Sequence, residues 1–160
     1  GQVRQDGLTG LNNRRRLDQY MWELDERSGE RETCCYLLMD VNKFKKVNDT
    51  YGHVTGDEVL RLVAEQLKRT FGNMQAFLAR YGGDEFVVIV KGKTQDEMDV
   101  IIHQTQENVN AIAWGADTPW QLSISIGCAM RGEQGKQKSH ELLALADERM
   151  YRQKKGIQDR

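Results

Sequence analysis

Arg80-Tyr81-Gly82-Gly83-Asp84-Glu85-Phe86, followed by Val87-Val88-Ile89-Val90, is the stretch on which the reading of this chain turns. Ala76-Phe77-Leu78-Ala79 before it is mostly apolar, and the run after Phe86 is β-branched. Two short apolar segments around a Gly-Gly-acid turn predict a β-hairpin. Adjacent glycines admit positive φ and let another molecule approach the backbone closely. Two adjacent carboxylates, Asp84 and Glu85, then stand at the hairpin tip, where like charges repel. A divalent cation held by carboxylate oxygens would relieve that repulsion. An exposed acidic turn without a ligand is the plainer alternative, and the turn alone does not separate the two.

The bulk properties set the frame. A chain of 160 residues predicts one domain with a real core. Charged residues make up 29% and the hydrophobic set 39%, the balance of a soluble globular chain. A net charge of −1 argues against a general nucleic-acid or membrane surface and leaves local basic sites open. No apolar run nears the ~20 residues of a membrane span, and the polar start carries no signal-peptide pattern. The first residue is Gly rather than Met, as in a segment of a longer protein. Cys34 and Cys35 are neighbours in one apolar run and Cys128 lies in another. Adjacent strand residues point to opposite faces, so Cys34 and Cys35 do not share one ordinary site. The spacing fits no zinc motif, and the three read as buried small apolar residues in a reducing, cytoplasmic setting.

Going outward from the hairpin, Asp6 to Arg16 is a turn-rich lead-in. A helix is expected from about Asn13 to Arg27, with Leu17, Tyr20, Met21 and Leu24 on one face. Arg14, Arg15 and Arg16 fall in its first turn, where the helix dipole disfavours cations. They form a solvated face, or one of them meets an anion or the chain upstream. Cys34 to Met39 is a continuous apolar run, as in a buried central strand, and it ends at Asp40. A carboxylate at the carboxyl end of such a strand stands where open α/β sheets bind ligands. A short helix and polar loop follow. Thr55-Gly56-Asp57 then opens a second helix to about Thr70, with a capping role as the ordinary reading of Asp57. Beyond the hairpin, a helix is expected from Thr94 to about Ala113 and an alternating, half-buried strand over Trp120–Gly127. Ser139 is expected to cap a last helix, whose end carries Arg149, Arg152, Lys154 and Lys155. Those cations suit the helix C-terminus, with a phosphate site as the sharper reading. The order predicts an α/β layer fold: a mostly antiparallel sheet with helices packed on it, ferredoxin-like or palm-like.

If the hairpin lies beside the Asp40 strand, Asp40, Asp84 and Glu85 converge at one edge of the sheet. Such a cluster would hold one or two Mg²⁺ ions against a phosphate. Lys43 to Lys46 follow, with loop amides able to cradle phosphate oxygens. Asn48 and Asp57 offer the amide and carboxylate that read a guanine edge.

Four blocks in order carry a resemblance that spans nearly the whole chain. They are Asp6-x-Leu-Thr-Gly-Leu-x-Asn-Arg-Arg; Asp40-x-x-x-Phe-Lys-x-x-Asn-Asp with Gly56-Asp57; Arg80-Tyr-Gly-Gly-Asp-Glu-Phe; and Ala146-Asp147 with Met150-Tyr151 and Lys154. The chain resembles the diguanylate cyclase catalytic domains of the GGDEF family. The resemblance implies a palm-like domain over residues 6–160, with residues 1–5 the stub of an upstream linker or helix. It implies condensation of two GTP into cyclic di-GMP with loss of two pyrophosphates, across a transient or stable homodimer of domains. By resemblance Asp40, Asp84 and Glu85, with the Val41 carbonyl, bind Mg²⁺ or Mn²⁺, two per site. Asp84 is also the candidate base. Asn48 and Asp57 read guanine, with His53 near the nucleotide. Lys43, Phe44, Lys45 and Lys154 hold phosphates, and Gly82 and Gly83 let GTP lie close. A sensory or dimerising module upstream is implied, with no nucleic-acid or membrane contact by this domain, although the whole protein can be membrane-anchored. The other reading is a catalytically silent GGDEF module that binds GTP and regulates a neighbour.

The chain departs from the family pattern in three places. Asn73 and Ala76 stand where many members carry the Arg and Asp of a product-inhibition site, so none is expected on that surface. Asn42 replaces a common acid two residues after the first metal aspartate. The second C-terminal phosphate-binding cation has no clear counterpart; Lys155 and Arg160 are the nearby substitutes.

Overall fold

The computed structural model describes residues 3–27, 32–115 and 120–158. Gly1, Pro119 and Arg160 lie outside the described residues. Four strands, β1 (Cys34–Val41), β2 (Ala76–Arg80), β3 (Glu85–Lys91) and β4 (Ile124–Met130), form one sheet in the order β2-β3-β1-β4. Every neighbouring pair is antiparallel. Five helices flank it: α1 (Arg14–Glu26), α2 (Phe44–Tyr51), α3 (His53–Phe71), α4 (Gln95–Asn110) and α5 (Ser139–Gln158). From β1 onward this is the βαββαβ plan of a ferredoxin-like sheet.

β1 is buried along its whole length because helices cover both faces of the sheet. Cys35, Leu37, Met39 and Val41 face a core with Val59, Leu60, Val63 and Leu67 of α3 and Met98 of α4. Cys34, Tyr36 and Leu38 face a second core with Leu17 and Leu24 of α1 and Leu142, Ala146 and Met150 of α5. The two adjacent cysteines therefore sit in different layers, as alternation requires.

The start of α1 matches its signals: the Asn13 side chain accepts from Arg16 N–H at 2.9 Å. α4 begins with a complete capping box between Thr94 and Glu97. Ser139 does not cap α5. It is the first helical residue, and its N–H and hydroxyl both bond the Asp25 carboxylate of α1. The last strand is displaced from its expected span over Trp120–Gly127 and runs Ile124–Met130. β1 ends at Val41, opposite Ile124, and one further backbone bond, from Asn42 N–H to the Ser123 carbonyl, closes the pairing there. Its other face is covered too. A Cβ on Gly127 would lie 1.8 Å from the Ala146 carbonyl oxygen and 2.5 Å from the Met150 nitrogen, so α5 rests directly on the strand.

Both sheet edges are closed by side chains or lead-in backbone. On β4, Ile126 N–H donates to Gln153, Met130 N–H donates to Glu133, and Arg149 donates to the Cys128 carbonyl. On β2, Asn12 N–H donates to the Leu78 carbonyl and Arg80 N–H to the Asn12 carbonyl. Unpaired edge groups that would template another strand are thus occupied.

Candidate active site

The register brings the expected acids together. Asp40, next to last in β1, stands directly opposite Glu85, the first residue of β3. Val41 N–H donates to the Asp84 carbonyl at 3.2 Å, which fixes the turn to the end of β1. Asp40 is nearly buried. Its Oδ2 is 2.9 Å from the Lys154 ammonium, and its Oδ1 is buried without a hydrogen-bond partner.

Burial, and after it the Asp40 charge, raises the Asp84 carboxyl from 3.8 to about 6. Burial, Asp40 and Asp147 push Glu85 upward as well. For Asp84 the sign is definite. The folded chain holds this proton more tightly than the unfolded chain, so its contribution to stability is complete below 3.8 and lost as pH rises to about 6. Above that the ionised carboxyl opposes folding. Because the group is only half-buried, we discount the shift for screening to about 1 kcal/mol. Asp84→Asn is therefore expected to raise the metal-free melting temperature at pH 7.5 and to leave it nearly unchanged at pH 3.5. Melting curves at the two pH values test this; an equal effect at both would contradict it.

The turn is held from three sides. Tyr81 and Gly82 N–H both donate to the Glu85 carbonyl, at 2.8 and 3.3 Å. The Arg80 guanidinium donates twice to the Gly83 carbonyl, at 3.2 and 2.8 Å, and also binds Asp6, whose carboxylate accepts from Thr9. Arg14 lies over the Tyr81 ring at 3.8 Å and donates to the Tyr81 carbonyl. Arg14 thus docks on the signature turn, downstream of it rather than upstream, and the anion it meets is the exposed Asp18 carboxylate at 3.4 Å. Neither Gly82 nor Gly83 has the positive φ expected of it. A Cβ on Gly82 would lie 2.7 Å from Glu85 Oε1, the movable end of that side chain, while Gly83 is exposed with open space where a Cβ would stand.

On the other side of β1, Lys43 takes a left-handed conformation, φ 58°, ψ 28°, at the start of α2. Few non-glycine residues do so, and such strain gathers at functional loops. The loop is pinned by Asn42, which donates to the Ser123 hydroxyl at 2.9 Å and accepts from the Ser125 hydroxyl at 2.7 Å. The residue in place of the common acid is thus a neutral tie, bonded through both its nitrogen and its oxygen, to Ser123 and to Ser125 of β4. Sequence reasoning missed Ser123 and Ser125; two serines alternating with Leu122, Ile124 and Ile126 were the available signal. Lys45 is exposed and Phe44 half-buried.

Asn48 of α2 meets α3 through a missing side chain. A Cβ on Gly56 would lie 1.8 Å from Asn48 Oδ1. That oxygen is buried against Gly56 and has no hydrogen-bond partner. α3 begins at His53, earlier than expected, with Gly52 at its cap. Asp57 is therefore past the first turn and exposed, without the capping role that was its ordinary reading. His53 is exposed at the helix start. Lys155 is exposed. Asn73 lies in the turn after α3, and Ala76 opens β2.

Among the described residues, no three His, Cys, Asp or Glu side chains are grouped tightly enough to enclose a metal ion. Mg²⁺ does not require that, because it usually keeps waters and takes one or two carboxylates plus substrate phosphates. The partnerless Asp40 Oδ1 beside the Asp84 carboxyl fits such a half-built site, with Glu85 at its rim. A cleft of about 490 Å³ between α1 and α5 reaches these acids only at Glu85, is also lined by Asp147, and excludes Asn48 and Asp57.

The sequence model described as diguanylate cyclase, GGDEF domain, matches residues 3–160. The chain belongs to the GGDEF diguanylate cyclase family. This GGDEF domain is 38% identical over 156 residues to the probable diguanylate cyclase DgcI of Escherichia coli K12, covering 94% of this chain and 31% of that protein. It thus spans about a third of the length of that relative. The GGDEF domain of DgcB from Caulobacter crescentus, solved in complex with c-di-GMP, superposes with a TM-score of 0.84 at 29% identity, over 98% of this chain and 92% of that one. Diguanylate cyclase SiaD of Pseudomonas aeruginosa, solved with its activator SiaC, gives a TM-score of 0.84 at 26% identity, over 95% and 58%. Cyclases of this family use divalent metals. No helix among the described residues is long and apolar enough to cross a membrane.

Proposed function

We propose that this GGDEF domain is a diguanylate cyclase, joining two GTP molecules into cyclic di-GMP at the interface of two copies of the domain. The observation that carries the reading is the pairing of two desolvated carboxyls at the end of β1: Asp40 Oδ1 is buried without a standing donor, and Asp84 is close enough to share a proton with the Asp40 side chain. A stable fold does not favour a desolvated, half-satisfied acid pair, whereas a cation-binding site needs one. Asp40 and Asp84, with the Val41 carbonyl and Glu85, would hold Mg²⁺ or Mn²⁺, two ions per site in the fullest form. Bound there, the metal would supply charge neutralisation at the α-phosphate and the leaving pyrophosphate.

The residues then divide the work. Asp84 accepts the proton of the ribose 3′-hydroxyl. Its oxygen attacks the α-phosphorus of the GTP on the facing domain, the α–β anhydride bond breaks and pyrophosphate leaves; the reciprocal step closes the ring. Backbone amides at Lys43 and Phe44, with Lys45, orient the phosphates. Lys154, 2.9 Å from Asp40 Oδ2, neutralises that carboxylate and would be free to hold the phosphates were a cation bound there. Asn48 and Asp57 select guanine, with His53 beside the nucleotide. Gly83 leaves the turn open to it. The upstream portion of the protein, by analogy with relatives about three times as long, would bring two domains together.

Gly56→Ala is expected to test the guanine assignment. The added methyl takes the place of Asn48 Oδ1 and turns the amide away. Loss of one or two hydrogen bonds to the base corresponds to roughly a 10-fold rise in the KM for GTP with kcat little changed. Steady-state kinetics with GTP would show it; an unchanged KM would remove Asn48 from the guanine site.

A further inference from the structure

Cys35 in β1 and Cys128 in β4 lie on the same sheet face of adjacent strands, because Cys35 pairs with Met130 and Leu37 with Cys128. Their sulfurs are 2.8 Å apart. That is inside the ~3.5–4.0 Å at which non-bonded carbon atoms settle. The closing distance to a disulfide of ~2.05 Å is below ~1 Å. Nothing in the reaction uses these thiols, and two apolar residues would fill the same space.

We propose that Cys35 and Cys128 form a reversible thiol modification site, which a hydroperoxide closes to an intramolecular disulfide.

The two sulfurs have unequal roles. Cys35 is fully buried, while Cys128 is partly exposed at the edge of the sheet. The contact with Cys35, in which either thiol can donate, lowers the Cys128 thiol, burial and the Glu133 carboxylate oppose it, and Arg149 adds to the lowering against Asp99. The same contact, and burial after it, pushes Cys35 upward. Cys128 is the attacking sulfur because it is the one a peroxide reaches, at the partly exposed edge of the sheet, while Cys35 is closed off. Its thiolate takes one peroxide oxygen and the O–O bond breaks. The departing oxygen leaves as water, or as the alcohol of an organic hydroperoxide, and Cys128 is left as a sulfenic acid. Cys35 then gives its sulfur to the Cys128 sulfur and its proton to the departing hydroxyl, which leaves as water. Two thiols are oxidised by one peroxide, and a thiol reductant reverses the change by exchange. Cys34 cannot substitute, since its side chain belongs to the opposite layer of the sheet. The bond would tie the strand that carries Asp40 to the edge strand β4.

The test is treatment with a small excess of hydrogen peroxide, denaturation in a thiol-alkylating reagent, and intact-mass and non-reducing peptide analysis. The expected product is monomeric, takes up label at Cys34 alone, and before labelling is about 2 Da lighter than the reduced chain. It yields one cross-linked peptide pair containing Cys35 and Cys128, and dithiothreitol restores all three sites. In Cys34→Ser the same cross-link is expected at the same rate, and in Cys128→Ser Cys35 stays alkylatable. All three thiols still labelled, sulfinic acid on Cys128 with Cys35 still labelled, or a cross-link through Cys34 or between chains would overturn the proposal.

Discussion

Asp84→Ala is expected to give a folded domain that still binds GTP and makes cyclic di-GMP at least about 10³-fold more slowly than the parent. The change removes the proposed base and one of two carboxylates beside the end of β1. Mg²⁺ tolerates little change in its oxygen ligands, so activity has no graded path to survive. Folding has no such dependence on the side chain. Asp84 holds the turn to β1 through its carbonyl, which accepts from Val41 N–H, and alanine keeps that bond. The carboxyl itself is raised to about 6 by burial and by Asp40, so at neutral pH its ionised form opposes folding. Loss of activity with an unchanged or higher melting temperature separates a chemical role from a structural one. Circular dichroism melts, GTP-analogue binding and product formation on one preparation would decide it. Substantial turnover by the variant would sink the assignment.

Gly127→Val is expected to have the largest effect on stability. The side chain would enter the backbone of α5, where a Cβ already stands 1.8 Å from the Ala146 carbonyl oxygen and 2.8 Å from its carbon. No rotamer relieves a clash with main chain, so the helix must lift from β4. Leu142, Ala146 and Met150 lose packing against Tyr36, Leu38 and Ala129 as it does. We expect a cost of about 4 kcal/mol or more and a fall in melting temperature of roughly 10 °C. Gly7→Ala is the control, because no atom lies within 4 Å of a Cβ there and its φ is ordinary. A destabilisation below about 1 kcal/mol would show that α5 has room to move. The same displacement would draw Lys154 from Asp40, so activity is expected to fall in any fraction that remains folded.

Much of this was legible in the sequence, and the reasons differ by element. The hairpin and β1 were visible because apolar runs with a Gly-Gly turn or an acid at the end have few other solutions. The convergence of Asp40, Asp84 and Glu85 followed once β1 and β3 were adjacent, and the register places Asp40 opposite Glu85. The start of α3 was not legible. Gly52 begins it without a side-chain cap, so capping logic pointed to Thr55–Asp57 and gave Asp57 a role it does not have. The bounds of β4 depend on where β1 stops, a partner property that no local alternation contains. Gly82 was singled out for positive φ, which it does not adopt, and what it faces is the movable end of the Glu85 side chain, a neighbour present only when the turn is closed. The Asn42–Ser125 tie and the Arg14–Tyr81 contact join residues 83 and 67 positions apart, and pattern reading has no access to such pairs.

The most direct measurement is product analysis after incubating the protein with GTP and Mg²⁺ at several protein concentrations. Cyclic di-GMP with two pyrophosphates per product, formed at a rate per domain that rises with concentration, is the expected result, since each site holds half of the reaction. GTP left intact at high concentration, by a protein shown to bind it in the presence of Mg²⁺, would contradict the account and identify a silent nucleotide-binding module.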